Sequence, residues 1–180
     1  MEFQKVLESR RSIRKYDADK KVSMEDLRAI LSAAQFAPSW KNQQTSRFHC
    51  VTDEKLLKLF RLTCLPEFNM NNAENASALI VTTFVSDWSG FDGKTHEPAN
   101  ELGNGWGCYD AGLQSEALVL KAQELGIGTL IMGLRDADKI RQVLDIPENE
   151  TIVSVIAVGY PDIAPKMPVR KNLDDVVKFY

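Results

Sequence analysis

Arg10-Arg11-Ser12-Ile13-Arg14 is the densest run of chemistry-bearing side chains in the sequence. Guanidinium forks pair bidentately with phosphate, and a hydroxyl in the same turn adds a further hydrogen bond. The spacing equally suits a solvated helix end, where basic residues complement the helix dipole. A second basic group, Lys166 with Arg170 and Lys171, sits in a tail that carries Pro161, Pro165 and Pro168. Two basic segments at opposite ends of one chain could converge on a single anion.

Other chemistries lack their residues. The sequence holds no GxxxxGK[ST], no GxGxxG after a strand, no GxSxG and no HExxH. Gly103-Asn104-Gly105-Trp106-Gly107 is glycine-rich but follows no predicted strand. Cys50, Cys64 and Cys108 form no CxxC pair, and His49 and His96 stand too far apart for a zinc spacing. They read as free, mostly buried thiols in a reducing compartment. An unaided hydrolase is disfavoured, so a cofactor must supply most of any chemistry.

These residues need a scaffold. The 180 residues, 44% hydrophobic and 26% charged, suit a single domain over 1–180 with a sizeable core. A net charge of −3 does not advertise a nucleic-acid or membrane-surface protein. The opening residues hold no apolar run of signal-peptide length, and Ala78–Val85 and Ile152–Val158 are far short of a membrane span. The expectation is a cytoplasmic protein.

Phe3, Val6, Leu7 and Ile13 predict a short amphipathic first helix. Ser23 with Asp26 reads as a capping box before Leu27, Ile30, Leu31 and Ala34, and Pro38 ends that helix. Residues 37–44 then form a polar loop. Strands are expected at Phe48–Thr52, Leu79–Val85, Thr129–Met132 and Ile152–Val158. Helices are expected after Asp53, over 109–125 with Gly126 as the stop, and over 136–144. The aperiodic Ser89–Gly107 stretch reads as a functional or mobile loop. The small and apolar surface over 109–125 exceeds what one buried face needs, which favours a subunit interface over core burial alone.

RRSIRKYD, APSWKNQQ, FNMNNAENASALIV, YDAGLQSEALVLKAQELGIGT with LIMG, and VGYPDIAPKMPVRKNLDDVVKF follow one another in this order. Together they resemble the FMN-dependent nitroreductase family over nearly the whole chain. The resemblance implies an α+β fold with a central mixed β-sheet flanked by helices. It also implies a homodimer with two FMN sites at the interface, and ping-pong hydride transfer from NAD(P)H through flavin N5.

Position by position, the resemblance would set Arg10 and Arg170 on the FMN phosphate, and Arg11 and Ser12 against the phosphate or ribityl chain. Arg14 would approach the pyrimidine edge, where a cation favours reduced flavin. Pro38, Ser39, Trp40 and Asn42 would come from the second subunit to the flavin ring. Asn69 would bond near the ring's polar edge, and Met132 and Gly133 would bring backbone groups near N5. Asn72 stands where several relatives carry lysine, so charge compensation would rest on Arg14. Met132 stands where some relatives are acidic. The acceptor class implied is an electron-poor π system, nitroaromatic or quinone. A flavin-holding or flavin-sensing protein with little turnover is the alternative.

Overall fold

The computed structural model describes residues 2–180. Its elements run α1 (Phe3–Ser9), α2 (Met24–Ala34), β1 (Ser46–Val51), α3 (Glu54–Cys64), α4 (Glu67–Asn72), β2 (Ala78–Val85), α5 (Gly105–Glu124), β3 (Gly128–Met132), α6 (Ala137–Leu144) and β4 (Glu150–Gly159). Helix starts follow local chemistry. Ser23 Oγ accepts from the Asp26 amide at 3.0 Å and donates to the Asp26 carboxylate at 2.8 Å. Asp53 and Asp136 accept from Leu56 and Lys139 amides at 2.9 and 3.1 Å. Each cap satisfies an amide that the helix leaves unpaired.

The strands form one sheet in the order β1-β2-β4-β3, with every neighbouring pair antiparallel. The parallel component is a single bridge, Ser12 to Thr129, which lays the Arg-rich segment alongside β3. Strand alternation sends Leu79, Val81, Val155 and Ala157 to one face, against Phe60 and Cys64 of α3 and Ile140 of α6. Ala78, Ile80, Ile156 and Val158 face Leu27, Ile30 and Ala34 of α2 and Leu118, Val119 and Ala122 of α5. Helices thus cover both faces. Burying each large side chain contributes roughly 1.5–3 kcal/mol.

Three elements differ from their sequence patterns. α1 stops at Ser9, and Ile13 belongs to an extended segment whose amide donates to Thr129 O at 2.9 Å. Pairing with β3 outweighs the helical spacing there. α5 begins at Gly105, inside the glycine-rich stretch, and its first turn packs closely on β2: a Cβ on Gly107 would lie 2.2 Å from the Phe84 ring. α4 has no periodic signal; it lies beside α3 and buries Asn69. Of the three free cysteines only Cys64 is fully buried; Cys108 is exposed. No helix among the described residues is long and apolar enough to cross a membrane.

Candidate functional site

Ile13 and Tyr16, 6% and 1% exposed, anchor the Arg10–Arg14 segment in the core. The Tyr16 hydroxyl donates to Ile13 O at 3.0 Å and Ala157 O at 3.3 Å. Burial pushes this phenol well above its ordinary value, so it stays a neutral donor. With Ile13 and Tyr16 turned inward, Arg10, Arg11 and Arg14 remain at the surface or only half-buried.

The tail is tied to the same segment. The Asp17 amide donates to Tyr160 O at 2.9 Å, and the Asp162 amide to Lys15 O at 3.0 Å. Lys15 Nζ meets Asp162 Oδ2 at 2.6 Å, and that hydrogen bond raises the Lys15 ammonium above its ordinary value. The pairing carries Pro165, Lys166, Pro168 and Arg170 to the Arg-rich segment. These four, with Arg10, Arg11, Ser12 and Arg14, line a cleft of about 430 Å³. The two basic ends converge.

No acidic side chain lines that cleft. Among the described residues Arg10, Lys166 and Arg170 make no hydrogen bond or ion pair with their side chains, and Arg14 reaches only Ser12 O at 3.3 Å. Arg11 donates through one nitrogen to Glu8 O and Arg10 O at 2.6 and 2.7 Å, while its buried Nε has no partner. Gathered cations without internal counter-charges repel one another, and an anion relieves them. Bidentate guanidinium geometry selects phosphate or carboxylate.

β3 joins this cleft to a second group. Ser12 pairs at Thr129, and four residues further along stands Gly133, about 13 Å away at strand rise. Met132 is buried and Gly133 exposed, with nothing within 4 Å of a Cβ built there. Asn69 Nδ2 donates to Leu134 O at 2.8 Å, fixing α4 against this strand end. Asn72, on the same helix, holds a buried Nδ2 with no partner. Asn69, Met132 and Gly133 are therefore brought together, at the far end of β3 from Ser12.

Pro38, Ser39, Trp40 and Asn42 line neither group within one chain. They form a separate loop against α5, with the Trp40 ring 4.7 Å from Trp106. Sequence reasoning missed Asp110 there. Its buried carboxylate accepts from the Trp40 amide, yet by pattern it is one polar position in an apolar helix. Among the described residues, no group of three or more His, Cys, Asp or Glu could hold a metal.

The model of the Nitroreductase family matches residues 7–160. An Archaeoglobus fulgidus protein, provisionally named an NADH dehydrogenase/NAD(P)H nitroreductase, is 34% identical over 87% of this chain and 84% of its own. An FMN reductase [NAD(P)H] of Bacillus subtilis is 28% identical over 91% of this chain and 68% of its own. Among solved structures, a provisionally named nitroreductase from Exiguobacterium sibiricum, in complex with FMN, superposes with a TM-score of 0.85. It is 25% identical, covering 100% of this chain and 98% of that one.

Proposed function

The chain belongs to the nitroreductase family, and from that premise we propose how this FMN-dependent NAD(P)H oxidoreductase works. It carries hydride to an electron-poor acceptor, nitroaromatic or quinone, by a ping-pong mechanism in the cytoplasm. The reading is carried by one observation: Arg10, Arg14, Lys166 and Arg170 share a cleft with no acid among its walls. Held by these residues, FMN would supply the hydride-transfer chemistry between NAD(P)H and the acceptor.

The chain's own residues bind and tune. Arg10 and Arg170, from opposite ends of the sequence, hold the phosphate, and Arg11 and Ser12 lie against the phosphate or ribityl chain. Arg14 faces the pyrimidine edge, where its charge favours the reduced state. Asn69 has one amide proton committed to Leu134 O, and its remaining polar atoms would be the ones to bond at the ring edge. Met132 and Gly133 offer backbone groups, and the missing side chain at Gly133 leaves room for close approach.

A second copy supplies Pro38, Ser39, Trp40 and Asn42. Phe36 (88% exposed) and Tyr109 (59%) flank this loop, and Val169 and Phe179 (98% and 86%) stud the tail, apolar surface in excess of an isolated monomer's needs. A dimeric mass at micromolar concentration in analytical ultracentrifugation is expected; a monomer with full FMN content contradicts it.

The functional test is the visible spectrum under anaerobic conditions. Purified protein should carry the flavin bands, lose them on addition of NADH or NADPH, and regain them when a quinone is added. Bands that persist with both nucleotides would reduce the protein to a flavin holder.

A further inference from the structure

We propose that Asp110 is a positioning residue for the reaction, clamping the Trp40 loop and the 86–104 segment onto α5. It thereby sets an aromatic wall, Trp40–Trp106–Tyr109, for the acceptor. The proposal rests on the reading above, in which the Trp40 loop meets the flavin of a second copy.

Asp110 is 2% exposed, and no cation pairs with it among the described residues. A buried carboxylate without a counter-ion is costly unless hydrogen bonds surround it. The Trp40 amide donates to Oδ1 and Oδ2 at 3.1 and 3.0 Å, and Ser89 Oγ donates to Oδ2 at 2.7 Å. Ser89 Oγ also lies 3.0 Å from Thr45 Oγ1. One carboxylate thus joins the loop, the lead-in to β1, the 86–104 segment and α5.

The loop it holds has turn bonds of its own, from Asn42 N to Ser39 O at 3.0 Å and Gln43 N to Trp40 O at 2.9 Å, but it also carries backbone strain. Lys41, Asn42 and Gln44 have φ of 47°, 56° and 52°, a left-handed conformation that Asn tolerates but that is unfavourable for Lys and Gln. Such strain persists only where neighbours over-determine it. Asp110 at one end does so, as does Ser39 Oγ at the other, accepting from the Gln44 amide at 3.0 Å. The outcome is specific: the Trp40 and Trp106 rings lie 4.7 Å apart at 52°, and Trp106 meets Tyr109 at 5.6 Å. Trp106 and Tyr109 stand on α5 beside Asp110 itself, so the clamp and the wall share one helix.

The test compares Asp110→Ala, Asp110→Asn, Trp40→Ala and the Asp110→Ala/Trp40→Ala double variant, all loaded with FMN. In Asp110→Ala the KM for a quinone acceptor should rise about tenfold, the worth of one positioned aromatic contact, with kcat held. Asp110→Asn should restore the KM, since its amide oxygen accepts from Trp40 and its NH₂ donates to Ser89. The double variant should be no worse than Trp40→Ala, because Asp110 acts through that ring. Circular dichroism gives a readout that does not need flavin. The Trp40–Trp106 exciton couplet should vanish in Asp110→Ala and persist in Asp110→Asn. Should Asp110→Ala fail to fold, Ser89→Ala, which removes one donor, should show the same KM rise in weaker form. A normal KM in Asp110→Ala or Ser89→Ala beside an impaired Trp40→Ala overturns the Asp110 assignment alone. Additive losses overturn it too. A normal KM in Trp40→Ala overturns the loop reading on which it depends.

Discussion

Arg10, Arg14, Lys166 and Arg170 stand around their cleft with almost nothing inside the protein to bond to. The charges near the start of β4 are arranged in the opposite way. Glu150 Oε2 accepts from Thr83 Oγ1 at 2.5 Å and lies 2.8 Å from His49 Nε2. Arg141 spends one nitrogen on Glu150 O at 2.7 Å and another on Ile146 O at 3.0 Å. Burial alone would raise the Glu150 carboxyl, but hydrogen bonds from Thr83 and His49, with the charges of His49 and Arg47, hold it below its ordinary value. Both regions are rich in charge, and only their satisfaction differs. Charges consumed inside the fold stabilise it. Charges left open cost stability until something from outside pairs with them.

The largest effect that could break this contrast is loss of flavin from the open region. Arg10→Ala should weaken FMN at least tenfold, and Arg10→Ala with Arg170→Ala at least a hundredfold, since each charge-assisted phosphate contact is worth roughly 1.5–3 kcal/mol. The apoprotein should melt no lower, because these cations support nothing internal. Calorimetric FMN titration and the melting temperature of the same samples check both halves.

The closed region should respond inversely. Glu150→Ala should destabilise the fold by about 1–3 kcal/mol in urea unfolding, by leaving the Thr83 hydroxyl without its acceptor. FMN affinity should stay where it was. The pH dependence follows from the lowered Glu150 value. A carboxyl depressed on folding contributes stability above its unfolded value, near 4.5, and loses it as pH falls through the folded value. Glu150→Gln should therefore flatten the acid limb of the stability profile. An unchanged limb would remove Glu150 from the account.

The smallest effect separates two roles within the open region. Arg14→Met should lower the FMN midpoint potential by roughly 30 mV, the equivalent of ~1.4 kcal/mol for a two-electron couple. The flavin should remain bound through Arg10 and Arg170. Flavin loss at unchanged potential would make Arg14 another phosphate ligand.

The contrast also marks what could be read from sequence. Arg10-Arg11-Ser12-Ile13-Arg14 and Lys166 to Arg170 were visible because unspent charge clusters locally, and the caps at Ser23 and Asp53 because capping acts within three residues. Convergence of the two ends was open from the charge pattern and implied by the family resemblance, but spacing alone could not establish it: it depends on Asp17 and Asp162 amides meeting carbonyls more than 140 residues away. Asp110 was hidden for the same reason, since its partner Trp40 lies 70 residues off. Ile13 was misplaced in a helix because apolar spacing does not report a partner strand. The all-antiparallel ladder with its one parallel bridge is likewise set by contacts between distant segments.

The central claim is that the cleft exists to hold a phosphate, and comparing FMN with riboflavin tests it most directly. The two share every ring atom and differ only in the phosphate. In the unaltered protein FMN should bind at least a hundredfold more tightly than riboflavin, by the contact energies above. In Arg10→Ala with Arg170→Ala that preference should collapse while riboflavin affinity stays constant. Equal affinity for FMN and riboflavin in the unaltered protein, or a preference that survives loss of both arginines, would contradict the account.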